Sequence, residues 1–466
     1  MITLIEVDGF KSLKEFKLEF NQGLNILVGP NGAGKTNIVA FFEFLTHLMT
    51  SDASEATSCV GGAGAVFRRI GHSYERNLKA RILGCVEIGE NRRTSRVENG
   101  APKLPFCAYD YQFTLVFPET GDSVLFESQR FRIRRTSEFT VEKKCPESEK
   151  WGLDIEATLQ ADGSVGVKTL TFDDALLELP YYTRRVRTSK TKMAQQEEVS
   201  PDQIISHMLA GGTMSLVPAI SRYTPELWKV SADLTGGQIY NVVPSRLKLP
   251  EDGAKPPGIA RDGSGLASTL YALQRARHPV EFGPWRHAFR PTYSDSESES
   301  LDKLKAYLAL VNSSVQDITV ENDPFDNQLR VKFHIKSGDY GATLPLSLMS
   351  DGTLKWLAVV AAAVTADSVF CFEEPENYLH PQMQGQIVTI LREILFEKEG
   401  QRFTLMTTHS ETLLNHCRPD ELIIVSMKDG RTEAKRCSNA ADISDEISRT
   451  GFGLGYYFVS NAVQND

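Results

Sequence analysis

Residues 24–40 read LNILVGPNGAGKTNIVA. The first five, Leu24 to Val28, are nearly all apolar, which fits a strand buried on both faces, as in a parallel sheet. Gly29 to Thr36 then carry the full spacing G-x-x-x-x-G-K-[ST]. From Ile38 to Met49 apolar residues recur at helical intervals. A strand, a glycine-rich turn and a helix in that order make a cradle for phosphate. The glycines let backbone N–H groups wrap around oxygens, and the start of the helix adds a favourable dipole. In such a loop Lys35 reaches the β- and γ-phosphates and the Thr36 hydroxyl binds Mg²⁺, with Gly29, Pro30, Asn31, Gly32, Ala33, Gly34 and Asn37 completing the wrap. The alternative is an accidental glycine loop, and the flanking strand and helix weigh against it.

The rest of the chain bounds what such a loop can serve. At 466 residues it is too long for one small core. A net charge of -9 argues against a wholly basic nucleic-acid binder, though not against a local basic track. The most apolar run, Leu357 to Phe372, is short and broken by Thr365, Asp367 and Ser368, so no membrane span is expected. Seven scattered cysteines without zinc-like spacing, and an N-terminus without a cleavable signal pattern, lead to the expectation of a cytoplasmic protein with reduced thiols.

Along the chain, Ile2 to Val7 and Phe16 to Phe20 alternate like half-buried strands. Ala80 to Ile88, Tyr109 to Phe117 and Ser123 to Ile133 read as an antiparallel meander, with a turn at Glu119-Thr120-Gly121-Asp122. After Thr183 a basic cluster (Arg184, Arg185, Arg187, Lys190, Lys192) leads into helix candidates at Pro201 to Leu209, Leu266 to Ala276 and Leu301 to Val311. Between them Pro250 to Gly265 and the acidic, serine-rich Ser294 to Ser300 read as loops. Strand-like alternation returns at Ile318 to Ile335. An α/β pattern follows: helices at Leu354 to Val364 and Met383 to Leu395, strands at Val369 to Phe372, Phe403 to Met406 and Leu422 to Val425. The expectation is therefore an α/β head built from residues 1–165 and 341–466, with a mainly helical insert over 166–340.

Three further stretches could carry chemistry. Ser368 to Pro375, SVFCFEEP, places two acids at the end of a buried strand, the edge at which open α/β sheets bind ligands. There Glu373 would help to organise Mg²⁺, and Glu374 would polarise an attacking water as general base. Thr407-Thr408-His409-Ser410 follows another apolar strand, and His409 could donate to a γ-phosphate. Leu348 to Thr353, LMSDGT, precedes a helix, so Ser350, Asp351 and Gly352 present a hydroxyl and free N–H groups to an anion, or form a simple N-cap.

The order of these motifs resembles the ABC-type ATPases of the RecF/SMC class. The N-terminal VDGFKSLKEFKLEFNQGLNILVGPNGAGKTNI looks like that class, and EEPENYLHPQMQ is similar to the form in prokaryotic RecF-like and OLD-like ATPases. The resemblance covers about residues 1–140 and 340–460. It implies ATP and Mg²⁺ as cofactors, a head-to-head dimer, and a signature supplied in trans: Ser350 and Gly352 of one subunit cap ATP held by Lys35 of another. The sequence departs from the common pattern where Glu373 stands for the usual Asp and Asp351 for Gly. No lobe-junction glutamine can be placed, with Gln129 and Gln160 the candidates.

Other features read as decoys or open alternatives. Leu234 to Gln238, LTGGQ, lacks a following acid-ended strand and reads as a turn; Gly451 to Gly455, GFGLG, reads as a loop. Arg68 and Arg69, the stripe Arg130, Arg132, Arg134 and Arg135, and the cluster Arg184 to Lys192 could each meet phosphates or stay solvated. The class contains ATPase subunits of anti-phage systems such as PARIS and Septu, which work with a separate nuclease effector. The resemblance thus leaves three readings: a defence switch triggered by DNA or a phage protein, a RecF-type repair ATPase, or a slow-turnover scaffold held together by ATP.

Overall fold

The structure, a computed structural model, describes residues 1–88, 105–119, 123–136, 151–171, 183–186, 195–198, 200–221, 225–277, 295–366, 370–397, 403–460 and 462–463. The chain divides into two compact units. The first comprises Met1–Gln22, Gly29–Gln238 and Val425–Lys435, the second Gly23–Val28, Ile239–Ile424 and Arg436–Asp466.

Alternating residues build the first unit. Its seven-stranded antiparallel sheet runs in the order Val165–Thr171, Leu153–Leu159, Leu125–Thr136, Phe106–Val116, Asn77–Glu87, Ile2–Asp8, Phe16–Glu19. The three strands of the expected meander are consecutive neighbours in the sheet; most of the expected turn, at 120–122, lies outside the described residues. Strand side chains alternate between faces, and the inward set (Tyr111, Phe113, Phe126, Phe131) is buried. The helix Lys35–Thr50 contributes Phe41, Phe42 and Phe44; Phe41 meets Phe10 edge-on at 5.5 Å between centroids.

The outward set holds Arg130, Arg132 and Arg134, whereas Arg135 alternates onto the inward face with Phe131 and Ile133, and the structure gives all four partners. Fully buried Asp110 receives Arg81 Nη2 at 2.9 Å and also pairs with Arg132. Arg130 pairs with Asp154 at 2.7 Å, Arg135 with Glu226, and Arg132 and Arg134 lie over the Trp151 ring. Asp110 and Asp154 come from neighbouring strands and make cross-strand ion pairs, while Glu226 comes from the helix Pro225–Leu234. Of the basic cluster, only the backbone of Arg184 and Arg185 is described, in the strand Thr183–Val186; Arg187, Lys190 and Lys192 lie outside the described residues.

Apolar runs build the second unit. Phe370–Glu373, Phe403–Thr407, Gly23–Val28 and the start of Leu422–Lys428 are parallel neighbours, with Gln238–Tyr240 outside Phe370–Glu373. The register sets Glu373 opposite Thr407 and Thr407 opposite Leu27, so these carboxyl ends share one edge. The helix Asp351–Thr365 is buried without interruption from Thr353 to Ala363; a helix apolar on every side belongs inside. Burying Trp356, Leu357, Val359 and Val360 stabilises the unit by about 1.5–3 kcal/mol each. The helix Pro381–Glu397 joins the same core through Ile387, Val388, Leu391 and Ile394.

One expectation changes here. Asp295 to Ser300, read as loop, is the first part of the helix Asp295–Val311. Between the helices of 166–340 stands a four-stranded antiparallel sheet with Glu251–Asp252, Gln328–Ser337 and Val315–Asn322 in order, and Tyr340–Pro345 paired to Gln328–Ser337. Among the described residues no helix is long and apolar enough to cross a membrane.

Candidate phosphate loop and acidic strand edge

The chain leaves the buried strand at Val28 and enters the glycine loop at once. Gly29, Gly32 and Gly34 all have positive φ (156°, 79° and 100°). Gly34 is the N-cap of a 16-residue helix with no side-chain cap and no acid in its first turn. The positive end of that helix therefore lacks a local anion, the condition under which a phosphate binds well. Lys35 is folded back on its own loop, donating to the carbonyls of Gly29 (2.8 Å) and Pro30 (3.1 Å). Thr36 is exposed.

Gly34 also answers to a partner far along the chain. A Cβ there would lie 1.9 Å from Thr432 Oγ1. Thr432 itself shares a 2.6 Å hydrogen bond with Ser12, which accepts from Asn37 Nδ2 at 2.7 Å. Gly34→Ala should therefore displace the loop and lower stability by about 2–3 kcal/mol, from a strained φ plus overpacking. A chemical-denaturation midpoint measures it, and Thr432→Gly added to Gly34→Ala should recover part of the loss.

At the acidic edge, Glu373 is 8% exposed and accepts from Arg261 Nη2 at 2.7 Å. Glu374 holds φ at +45°, a left-handed conformation uncommon for such a residue. Its N–H donates to Thr407 O at 3.1 Å, and its own carbonyl accepts from Lys355 Nζ at 3.2 Å. These bonds over-determine the bend, as a strained functional residue requires. The carboxylate so presented accepts from Asn377 Nδ2 at 2.9 Å, and its other oxygen stands 4.0 Å from His409 Nε2.

The sequence reading missed two residues of this edge. Glu376 is buried and accepts from Thr408 Oγ1 (2.7 Å) and from the His409 N–H (3.0 Å), so it fixes the histidine turn to the acidic turn. Lys355, 1% exposed, reaches from the helix Asp351–Thr365 to the Glu374 carbonyl and lies 5.6 Å from the Tyr378 ring centre. Burial pulls its pKa down to about 8, against the upward pull of Glu376 and Glu374. A third acid in EEPEN and a lysine two residues after LMSDGT were the available signals.

Ser350 caps its helix, its Oγ accepting the Thr353 N–H at 3.3 Å. Asp351 pairs with Lys248 at 2.7 Å, and a Cβ on Gly352 would stand 2.9 Å from the Tyr378 carbonyl. The signature turn thus packs directly on the acidic turn. Of the other candidates, Gln129 is engaged with Tyr111, Met214 and Leu216, and Gln160 closes a surface turn. LTGGQ is the turn between Pro225–Leu234 and Gln238–Tyr240, with Gly237 against the Phe42 carbonyl. Arg68 pairs with Glu75 at 3.5 Å and Arg69 bonds the Gly71 carbonyl. Mg²⁺ sites typically use one or two protein oxygens, with phosphates and water filling the shell. A carboxylate such as Glu373 is chemically suited to it, and here it accepts from the Arg261 guanidinium.

Comparison with known proteins finds several similarities. A family model described as "AAA domain, putative AbiEii toxin, Type IV TA system" matches residues 241–415, and one described as "AAA domain" matches 4–161. The chain is 39% identical over 51 residues, 11% of its length, to the Septu protein PtuA of Bacillus thuringiensis, and 28% identical over 170 residues, 35% of its length, to an ATP/GTP phosphatase of Helicobacter pylori. These stretches span 12% and 42% of those relatives. A solved Smc head, bound to the C-winged helix domain of ScpA, aligns at a TM-score of 0.47 and 13% identity, over 93% of this chain and 97% of that one. With its glycine loop, its acid-ended parallel strand and its matches to two AAA-domain models over 4–161 and 241–415, the chain is similar to AAA-domain ATPases.

Proposed function

We propose that the chain is an ATP-driven switch, the sensor or scaffold subunit of a defence system that controls a separate nuclease. Residues 1–165 and 341–466 would form the ATPase head, and 166–340 the surface for partner or trigger, whether DNA or a phage protein. Lys35 and the loop Gly29 to Asn37 hold the phosphates of ATP, while Thr36 and Glu373 serve Mg²⁺. Glu374 polarises the attacking water and His409 reads the γ-phosphate. Ser350, Asp351 and Gly352 of a second copy cap the nucleotide, so ATP closes the dimer and hydrolysis opens it. Phosphoryl transfer needs positioning and charge stabilisation more than covalent help, and slow turnover suits a sensor.

The observation that carries the ATPase reading is the uncapped helix start behind Gly34, with Lys35 in its first turn. The defence role is supported by the likeness to the Septu protein PtuA and by the AbiEii description of the family matched over 241–415. The repair reading needs an open track of cations, and Arg130, Arg132 and Arg135 each already face a carboxylate. Lys35→Ala should weaken ATP binding at least tenfold, about the worth of a charge-assisted hydrogen bond, and abolish the ATP-dependent dimer. Equilibrium binding and light scattering check both, and undiminished ATP affinity in that variant would remove the assignment. Expression with its genomic neighbours tests the role: failure to protect a host from phage would count against defence.

A further inference from the structure

The segment from Asn241 to Gly265 includes Pro250 to Gly265, read from sequence as a loop, and it is braced at many points. Asn241 and Val243 donate their N–H groups to the carbonyls of Arg261 (2.7 Å) and Asp262 (3.0 Å). Ala260 N–H donates to Ser264 O at 2.7 Å. Buried Glu251 accepts from the N–H groups of Gly265 (2.6 Å) and Ser268 (3.0 Å) at the start of the helix Leu266–Arg277. Gly265, at φ +93°, leaves no room for a Cβ, which would lie 2.0 Å from the Gly258 carbonyl. This turn presents Arg261, whose guanidinium sits on Glu373. The same segment sends Lys248 to Asp351 at the head of the signature helix. Two cations from one braced segment therefore neutralise one acid of each functional turn.

A carboxylate as buried as Glu373 must keep a counter-charge. A divalent cation served by Glu373 would bring two positive charges beside the guanidinium, and like charges so close in a partly desolvated site repel strongly. Arginine and metal cannot both be served at full strength by this one acid. We infer that Arg261 is the resident counter-ion of Glu373: it holds the place of the divalent cation and withdraws when metal-bound nucleotide loads. The segment Asn241–Gly265 then reports the loading of the acidic edge to the residues beyond it. The inference rests on the ATPase reading, because metal arrives there with nucleotide.

The test uses the full chain and a non-hydrolysable ATP analogue. Arg261→Ala should lower the Mg²⁺ concentration that gives half-maximal analogue binding by about tenfold, the worth of one partly exposed charge-assisted hydrogen bond. Arg261→Lys should return it most of the way. In the wild type, amide exchange at Asn241 and Val243 should be faster with analogue and Mg²⁺ than with analogue in excess chelator, a readout that does not depend on the variant folding. An unchanged or raised Mg²⁺ requirement in Arg261→Ala, or exchange indifferent to Mg²⁺ while analogue is bound, overturns the inference. Wild-type protein that binds no analogue at any Mg²⁺ concentration would overturn the ATPase reading first, and the inference with it.

Discussion

Glu374→Gln should lower ATP turnover by about a thousandfold, within the range a general base contributes, and should leave ATP bound. Gln keeps the shape of the side chain and an acceptor oxygen for Asn377, so the bend at φ +45° and its backbone bonds to Thr407 and Lys355 persist. What disappears is the negative charge that would take a proton from water. Binding and chemistry therefore separate: ATP affinity within about threefold of wild type, single-turnover hydrolysis nearly absent, and a dimer that accumulates with ATP and does not dissolve. Lys35→Ala predicts the opposite pattern, with no nucleotide and no dimer. Wild-type turnover by Glu374→Gln would show that another group activates the water.

What could be read from the sequence was whatever depends on near neighbours. The loop from Gly29 to Thr36 is legible because its glycines serve a turn closed within eight residues, and Glu373 and Glu374 because a short apolar strand ends on them. Contacts made across the fold were not legible. Gly34 is needed for reasons that include Thr432, and Arg261 is a site residue only through Glu373, 112 positions away. The arginine stripe shows the same limit. Alternation sets Arg130, Arg132 and Arg134 on one face and Arg135 on the other, but whether they meet a ligand depended on Asp110, Asp154 and Glu226, whose approach is set by sheet order and helix packing. The family match from residue 241 likewise begins well before the LMSDGT turn, where the eye finds no motif.

Lys355 connects the two turns whose coupling a switch requires, and its charge should be visible in the pH dependence. It rises from the helix that Ser350 caps, donates to the carbonyl of Glu374, and faces the carboxylates of Glu374 and Glu376 and the ring of Tyr378. Its folded-state pKa, about 8, lies below the ordinary 10.5. The unfolded chain therefore binds more protons between those values, and stability rises with pH across that window. Below pH 8 the cost of the buried charge, on the order of 3 kcal/mol, is fully present. Function should run the other way. Loss of the ammonium above pH 8 removes the counter-charge of Glu376, which holds the His409 N–H, and weakens the grip on the Glu374 bend. Turnover should fall with an apparent pKa near 8, while ATP affinity, which the proposed reading assigns to the loop and Lys35 and not to Lys355, stays level. Lys355→Met, which keeps the packing and removes the charge, should cost about a hundredfold in kcat, leave ATP affinity unchanged, and abolish the alkaline limb. A wild-type profile flat from pH 7 to about 9.5, or a Met variant that keeps the limb, would place the switch coupling elsewhere.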